Sequence, residues 1–132
     1  MLMHISSKSI AAIRAHAAKT PEIEVCGLLF GTAECINAAH PCGNISDTPT
    51  TMFEIDPAAL IAAHKAQRAG GAKLIGHYHS HPGGVFSPSA TDAESADAVG
   101  QYWLIIAGAE IGLWHVTAPH VFAECAVVVG DF

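Results

Sequence analysis

The sequence predicts a mixed α/β domain that has one main β-sheet with helices packed against it. Short apolar runs, typical of buried strands, alternate with Ala-rich segments typical of helices, and Gly or Pro residues separate them. The predicted order of elements is α-β-β-β-α-β-α-β-β-β, without an internal repeat or a linker. With 132 residues, of which 51% are hydrophobic, the chain is long enough to bury the core of one domain covering residues 1–132.

Helix caps and Gly or Pro residues define the elements in the first half of the chain. Ser6 and Ser7 can cap an Ala-rich helix, which Thr20-Pro21 ends. Asp56 is the N-cap of a second helix, because proline follows it at the first helical position. From the N-terminus, the predicted elements are a helix over 8–19, strands over 25–31, 34–39 and 51–55, and a helix over 57–69.

The second half of the chain contains more strands than helices. The first of these strands carries histidines and is broken by Pro82-Gly83-Gly84. Gly108-Ala109 predicts a tight hairpin between two later strands. The predicted elements are a strand over 73–80, a helix over 89–99, and strands over 102–107, 110–116 and 122–129.

Charge and hydropathy argue against two classes of partner. The net charge is -6 and there are only six Lys plus Arg, whereas nucleic-acid binding requires clustered cations. No apolar run approaches the roughly 18 residues that would cross a bilayer. Residues 1–8 also lack the charged and apolar regions of a signal peptide, so we expect a cytoplasmic protein.

Four cysteines are present, and the sequence offers no secretory signal that would favour disulfides. Cys26 and Cys125 lie in apolar runs, which predicts buried free thiols. Cys35 and Cys42, with His40 between them, could form a metal clip. Their C-x₆-C spacing matches none of the common zinc patterns, so the role of this pair is left open.

The most informative segment combines histidines with a downstream serine and aspartate. His77, His79 and His81 alternate along an extended segment and so share one face. Two of them, together with Asp92, would supply the His, His and Asp ligands of a zinc site that keeps one position for water. The spacing Ser89-x-x-Asp92 is equally typical of a capped helix N-terminus, so capping remains an alternative for these two residues.

The pattern H-S-H-x₇-S-x-x-D over residues 79–92 resembles the signature of the JAMM (MPN+) family of zinc metalloproteases. If His77 and His79 were the pair, the same spacing would place no carboxylate at the last position. Residues 24–31 resemble the strand in which the family's catalytic Glu precedes a Cys-Gly-hydrophobic run. Asn44 and residues 53–57 are further family features, so the resemblance covers roughly residues 1–117.

This resemblance implies a fold and a mechanism. The fold would be MPN-like, and related to cytidine deaminases, with a central curved mixed β-sheet flanked by helices. His79, His81 and Asp92 would bind Zn²⁺, and Glu24 would act as the general base on a zinc-activated water. Glu22 lies two residues away on the same face and is the alternative base, although the spacing to the Cys-Gly pair favours Glu24.

Ser89 and His77, which lie near the predicted zinc ligands in the sequence, have further expected roles. Ser89 would donate to the developing oxyanion of the substrate, in addition to capping the helix. His77 is a candidate for orienting a ligand or the substrate, or else an ordinary polar residue of a half-exposed strand.

The implied substrate is the C-terminal Gly-Gly tail of a ubiquitin-like or sulfur-carrier protein, cleaved at a peptide or isopeptide bond. Such a tail is extended and can add as a strand beside a sheet edge, and the loop 83–86 could border its cleft. The alternatives are a zinc hydrolase of short peptides or small molecules, and a non-catalytic MPN scaffold. The sequence does not identify the partner protein, the bond type, the oligomeric state or any dependence on an activator.

Overall fold

The structure, a computed structural model that describes residues 1–132, contains seven strands and three helices. Every helix begins at a capped position that the sequence predicts: Ser6, Asp56 and Ser89 each accept a backbone N–H from the first turn. The elements are β1 (Leu2–Ser6), α1 (Ser7–Lys19), β2 (Cys26–Gly31), β3 (Cys35–Cys42), α2 (Pro57–Arg68), β4 (Leu74–Ser80), α3 (Ala90–Ser95), β5 (Tyr102–Ala107), β6 (Glu110–Ala118) and β7 (Val121–Gly130).

All seven strands belong to one sheet that closes into a barrel in the order β1-β3-β2-β4-β5-β6-β7. The pairs β1–β3, β1–β7 and β4–β5 are parallel, and the remaining pairs are antiparallel. The predicted mixed α/β class with a curved sheet and flanking helices is therefore confirmed. The predicted hairpin is also present, with Gly108 at a φ of 60° between paired Ala107 and Glu110.

The strand that closes the barrel, β1, was not predicted. Its side chains alternate, so that Met3 and Ile5 are fully buried while His4 is partly exposed. Five residues with two core positions give too weak a pattern to be separated from the helix cap that follows. The strand becomes stable because β3 and β7 pair with it on both sides.

The predicted strand over 51–55 is wrong. Thr51 and Met52 donate their N–H groups to the carbonyl of Thr48 in a turn, and only an isolated bridge joins Asn44 to Ile55. The alternation in this segment reflects two inward side chains, because Phe53 and Ile55 pack against the cluster beneath α2. The segment is a loop held by side-chain hydrogen bonds rather than by a ladder.

Helix α3 is shorter than the predicted 89–99 and ends at Ser95. The turn between β6 and β7 accounts for this end. His120, which has a positive φ of 65°, donates its backbone N–H to the carbonyl of Ala96. Its Nδ1 also lies 2.8 Å from the carbonyl oxygen of Ala93, so carbonyl groups at the end of α3 are bonded to a neighbouring turn.

The core lies on both faces of the central strands. Val25 and Leu29 belong to a cluster that α1 completes with Ile10 and Ile13, whereas the alternate side chains of β2 pack beneath α2. Every residue of β2 is buried, as its continuous apolar run predicts. Strand β2, which pairs with the histidine-bearing strand β4, is thus fixed between two hydrophobic layers.

Two of the four cysteines are buried free thiols, as predicted. The other two lie too far apart to form a metal clip. Cys26 and Cys125 are buried and free, as predicted. Cys35 and Cys42 are the first and last residues of β3, which separates them by roughly 23 Å at about 3.3 Å per residue. They cannot share a metal ion. No helix of the structure is long and apolar enough to cross a bilayer.

Candidate metal centre and active site

The pairing of β2 with β4 brings the two halves of the motif together. The strands are antiparallel, and Cys26 at the start of β2 lies opposite His79 near the end of β4. Glu24, two residues before β2, therefore reaches the same end of the sheet as His79 and His81. One acceptor or donor atom from each of these three residues lies within 4.8 Å of the other two.

Asp92 completes the cluster from the first turn of α3. The Nε2 atoms of His79 and His81 lie 2.9 Å apart. The Oδ2 atom of Asp92 lies 3.2 Å from the first of these nitrogens and 3.0 Å from the second. Two imidazole nitrogens and one carboxylate oxygen thus converge on a single point, and we call these three residues the ligand cluster.

Contacts behind the ligand cluster fix the orientation of both rings. Nδ1 of His81 donates to the carbonyl of Val85 at 2.6 Å, which leaves Nε2 facing the centre. His79 is fully buried, and Phe53 stacks on its ring with centroids 4.3 Å apart and an interplanar angle of 21°. The two nitrogens are therefore held in place before any ligand arrives.

The donor set fits a catalytic zinc ion. Zinc in hydrolases is held by three protein ligands, drawn from His and carboxylates, with a further position open. His79, His81 and Asp92 supply such a set, and Oε1 of Glu24 beside them is buried without a hydrogen-bond partner. An unpaired buried carboxylate oxygen fits a site that is completed by a polar ligand, because an isolated one is costly to bury.

The pKa values of the three residues in the ligand cluster shift in different directions. Burial alone would raise the pKa of Asp92, but hydrogen bonds with His79 and His81 hold it far below its usual range. Burial lowers the pKa of His79. Burial would also lower that of His81, yet its hydrogen bonds to Asp92 and to the Val85 carbonyl raise it. Asp92 is consequently an anion and His79 is neutral, which are the states that a metal ion would require of them, whereas His81 would have to lose its proton to bind one.

Comparisons with known proteins show the family to which the chain belongs. Residues 6–119 match the family of prokaryotic homologues of the JAB domain. The chain belongs to the prokaryotic JAMM/MPN family. It is 36% identical over 118 residues to a desampylase of Haloferax volcanii, a match that covers 88% of this chain and 85% of that protein.

Further likenesses extend this result. The chain is 32% identical over 96 residues to a probable TtuB-protein conjugate cleaving protease of Thermus thermophilus, covering 73% of this chain and 64% of that one. A JAB1/MPN domain protein from Archaeoglobus fulgidus has a TM-score of 0.59 at 20% identity, with 96% of each chain covered. This last likeness concerns the fold, and it confirms the predicted MPN architecture.

Glu24 and Glu22 occupy different environments in this JAMM domain. Glu24 is 6% exposed, and burial raises its pKa to about 7, with Asp92 adding to the shift and His81 opposing it. Glu22 is exposed at the surface, and its side chain is not part of the metal-binding group. The structure therefore brings only Glu24 together with the ligand cluster. A carboxylate with a pKa near neutrality is suited to accept and release a proton.

Ser89 is the N-cap of α3 and also faces the cleft beside the ligand cluster. Its Oγ accepts the N–H of Asp92 at 3.0 Å, and its own N–H donates to Oδ2 of Asp92 at 2.9 Å, which is a capping box. The hydroxyl hydrogen is left free to donate to a bound ligand. Capping and oxyanion donation are therefore compatible in one side chain.

A cleft of about 340 Å³ lies in front of the ligand cluster. Glu24 and Ser89 lie on its walls together with His81, and the loop residues Gly83 and Val85 border it. The cleft is open to solvent. The predicted position of the loop at the cleft is thus observed for these two residues.

His77 lies close to the ligand cluster without joining it. Its ring packs at 4.3 Å from Trp103 and at 5.4 Å from Phe53, and burial lowers its pKa to about 3, so it is neutral. Its Nδ1 is buried without a partner and makes no hydrogen bond to either histidine of the ligand cluster. The structure thus assigns His77 to the aromatic wall behind the cluster.

Sequence reasoning missed how the neighbouring residues support Glu24. Ser80 stands between two motif histidines, and the alternation of a strand turns it to the opposite face, where its Oγ accepts the N–H of Val25. Asn44 donates to the carbonyl of Glu24 across a loop. The period-two rule could have shown that Ser80 faces away from the metal site, but not which backbone it meets.

Proposed function

We propose that residues 1–132 form a zinc-dependent metallopeptidase domain that hydrolyses a peptide or isopeptide bond at the C-terminal tail of a ubiquitin-like protein. The observation that carries this proposal is the convergence of Glu24, a buried carboxylate with a pKa near 7, on the His79–His81–Asp92 cluster. A structural metal site needs no base, whereas hydrolysis of an amide requires one.

His79, His81 and Asp92 would hold the zinc ion. When bound, zinc lowers the pKa of water toward about 7 and polarises a carbonyl group. Glu24 accepts a proton from the attacking water and later delivers it to the leaving amine, because it is the only carboxylate of the site outside the ligand set. The Ser89 hydroxyl donates a hydrogen bond to the carbonyl oxygen as negative charge develops there.

The substrate class is supported by the relatives and by the cleft. One relative is described as a desampylase and another as a protease that cleaves TtuB-protein conjugates. The cleft beside Glu24 and Ser89 is open to solvent, which supports an extended substrate, and a Gly-Gly sequence would let its backbone pass close to the ligand cluster. A small ubiquitin-like or sulfur-carrier protein with such a tail is the substrate we propose.

Two measurements test the proposal together. Purified protein should contain one zinc ion per chain by elemental analysis, and His79→Ala should remove it. Incubation with small β-grasp proteins that carry C-terminal extensions should release the extension, and mass spectrometry should place the cut after Gly-Gly.

The two alternative functions predict different results in the same measurements. A chain without zinc affinity would be a non-catalytic MPN scaffold, and this outcome would overturn the enzymatic proposal. A chain that binds zinc and cleaves only short peptides, leaving every tailed β-grasp protein intact, would be a zinc hydrolase of small substrates.

A further inference from the structure

The residue that needs the most accurate placement, Glu24, lies outside every helix and strand. It is part of the segment 20–25 that connects α1 to β2. Connecting segments are usually the most mobile parts of a fold, whereas a general base must stay within hydrogen-bond reach of its proton. Something other than secondary structure must therefore fix this carboxylate, and the hydrogen bonds around it identify what does.

The first set of contacts comes from Ser80, the residue between the two metal-binding histidines. Its Oγ accepts the N–H of Val25 at 2.9 Å and donates to the carbonyl of Ile23 at 3.4 Å. Its own N–H donates to the carbonyl of Val25 at 3.0 Å. Ser80 is 8% exposed, so these bonds are shielded from water. The residues on both sides of Glu24 are thus bonded to the strand that presents His79.

The second set comes from the loop after β3. The Asn44 side-chain amide donates to the carbonyl of Glu24 at 2.8 Å, and the Glu24 N–H donates to the carbonyl of Pro49 at 2.7 Å. The same amide donates to the carbonyl of Met52 at 2.9 Å, next to the Phe53 ring that stacks on His79. Asn44 therefore connects the backbone of the base to the loop that covers a metal ligand.

We propose that Ser80 is a positioning residue which, together with Asn44, holds the Glu24 carboxylate at a fixed distance from the metal ligands. This inference rests on the proposed function, since it concerns the same site. Ser80 acts through the backbone on both sides of Glu24, because its hydrogen bonds go to Ile23 and Val25. Its side chain points away from the ligands by the alternation of β4, so it couples the ligands on one face of the strand to the base segment on the other.

The main test replaces the hydroxyl without changing the histidines. Ser80→Ala should lower kcat by about 10- to 100-fold, because displacements near 1 Å in an active site cost on the order of 10²-fold. KM and the zinc content should stay unchanged. Ser80→Thr keeps the hydroxyl and should restore most of kcat. Ser9→Ala is the matched control, because Ser9 is a buried serine of α1 whose hydroxyl bonds to Ser6.

A readout independent of turnover uses the metal-free protein. Hydrogen exchange of segment 20–27 should accelerate in Ser80→Ala and in Asn44→Ala, because both remove bonds to the backbone next to Glu24. It should stay normal in Ser9→Ala and in Gln67→Ala, where Gln67 is another side-chain amide that accepts a backbone N–H, from Leu74, away from the site. Unchanged exchange in Ser80→Ala would overturn the proposal.

A double variant separates positioning from a general effect on folding. If Ser80 acts only through Glu24, adding Ser80→Ala to Glu24→Gln should cause no further loss of the residual activity. Multiplicative losses would overturn the proposal and assign Ser80 a purely structural role. A different result is expected if the proposed function itself is wrong. In that case Glu24→Gln by itself would leave activity at the level of the unmodified chain.

Discussion

Single side chains in this site combine a structural and a chemical role. Asp92 accepts the Ser89 N–H in a capping box, and the same oxygen faces both histidines of the ligand cluster. Ser89 caps α3 with the lone pairs of its hydroxyl and keeps the hydroxyl hydrogen free. The two interpretations of the Ser-x-x-Asp spacing are therefore not exclusive, since the first turn of a helix can also hold the proposed metal ligand rigidly.

Substitution of Glu24 is the most direct test of its proposed role as the general base. Glu24→Gln should reduce kcat by about 10²- to 10⁴-fold, because the amide cannot accept the proton of water. The zinc content should remain at one ion per chain, since Glu24 lies outside the ligand set. Elemental analysis and steady-state kinetics on the same preparation measure both quantities.

The control for this variant is Glu22→Gln, which should keep full activity because Glu22 is exposed at the surface. If Glu22→Gln is inactive while Glu24→Gln turns over normally, the base has been assigned to the wrong carboxylate.

Ser89→Ala separates the two roles of this hydroxyl. We expect kcat to fall by about 10²- to 10³-fold through loss of the oxyanion donor. The cap would also be lost, lowering the free energy of unfolding by about 0.5–2 kcal/mol. Kinetics and thermal denaturation are measured on one sample. A lower melting temperature with an unchanged kcat would leave Ser89 as a helix cap alone.

At the scale of elements, β4 positions the site from between β2 and β5. Its Gly76 allows a close approach to β5, because a Cβ there would collide with the carbonyl of Tyr102, and Gly27 of β2 leaves room for the Tyr78 ring. The sequence predicts β4 and its histidines from alternation and from the Pro-Gly-Gly break. The loop carrying Phe53 could not be predicted, because the side chain of Asn44 replaces strand pairing there.

Gly76→Ala tests the importance of this close approach. The added methyl group should push β5 away from β4 and destabilise the fold by about 1–3 kcal/mol or more, because the obstructing atom belongs to the backbone. Denaturant unfolding followed by circular dichroism measures the loss. Gly43→Ala provides the control, since a Cβ there meets no atom within 4 Å and Gly43 has no positive φ. Equal stability of the two variants would contradict the packing argument.

On the scale of the whole molecule, the main hydrophobic core and the ligand cluster are separate. Fourteen buried residues, including Ile10 and Ile13 of α1, form the main hydrophobic cluster, and none of them belongs to the ligand cluster. The barrel closes where β1 pairs with β3 and β7. This closure lies away from β4, because β3 and β4 flank β2 on opposite sides. Folding should therefore not require the metal, in contrast to small zinc domains that unfold without it.

Chelation should abolish activity and leave the fold intact. The circular dichroism spectrum of the EDTA-treated protein should match that of the zinc form. Zinc at 100 times its Kd should then stabilise the protein by about 2.7 kcal/mol, seen as a higher Tm. Asp92→Ala should lose both the zinc and this increase in Tm. Zinc bound stoichiometrically to Asp92→Ala would show that the third ligand is a different residue.

Alternation, helix caps and Gly or Pro breaks are local properties of the chain, so they were enough to predict the fold class and most elements. The candidate site residues were predicted from the resemblance of residues 24–31 and 79–92 to the JAMM motif. The tertiary structure alone decided that β1 closes a barrel, that residues 51–55 form a loop, and that α3 ends at Ser95. It also brought Glu24, rather than Glu22, to the ligand cluster. These outcomes depend on contacts between residues far apart in the chain, such as the pairing of Cys26 with His79 and the hydrogen bond from Val25 to Ser80.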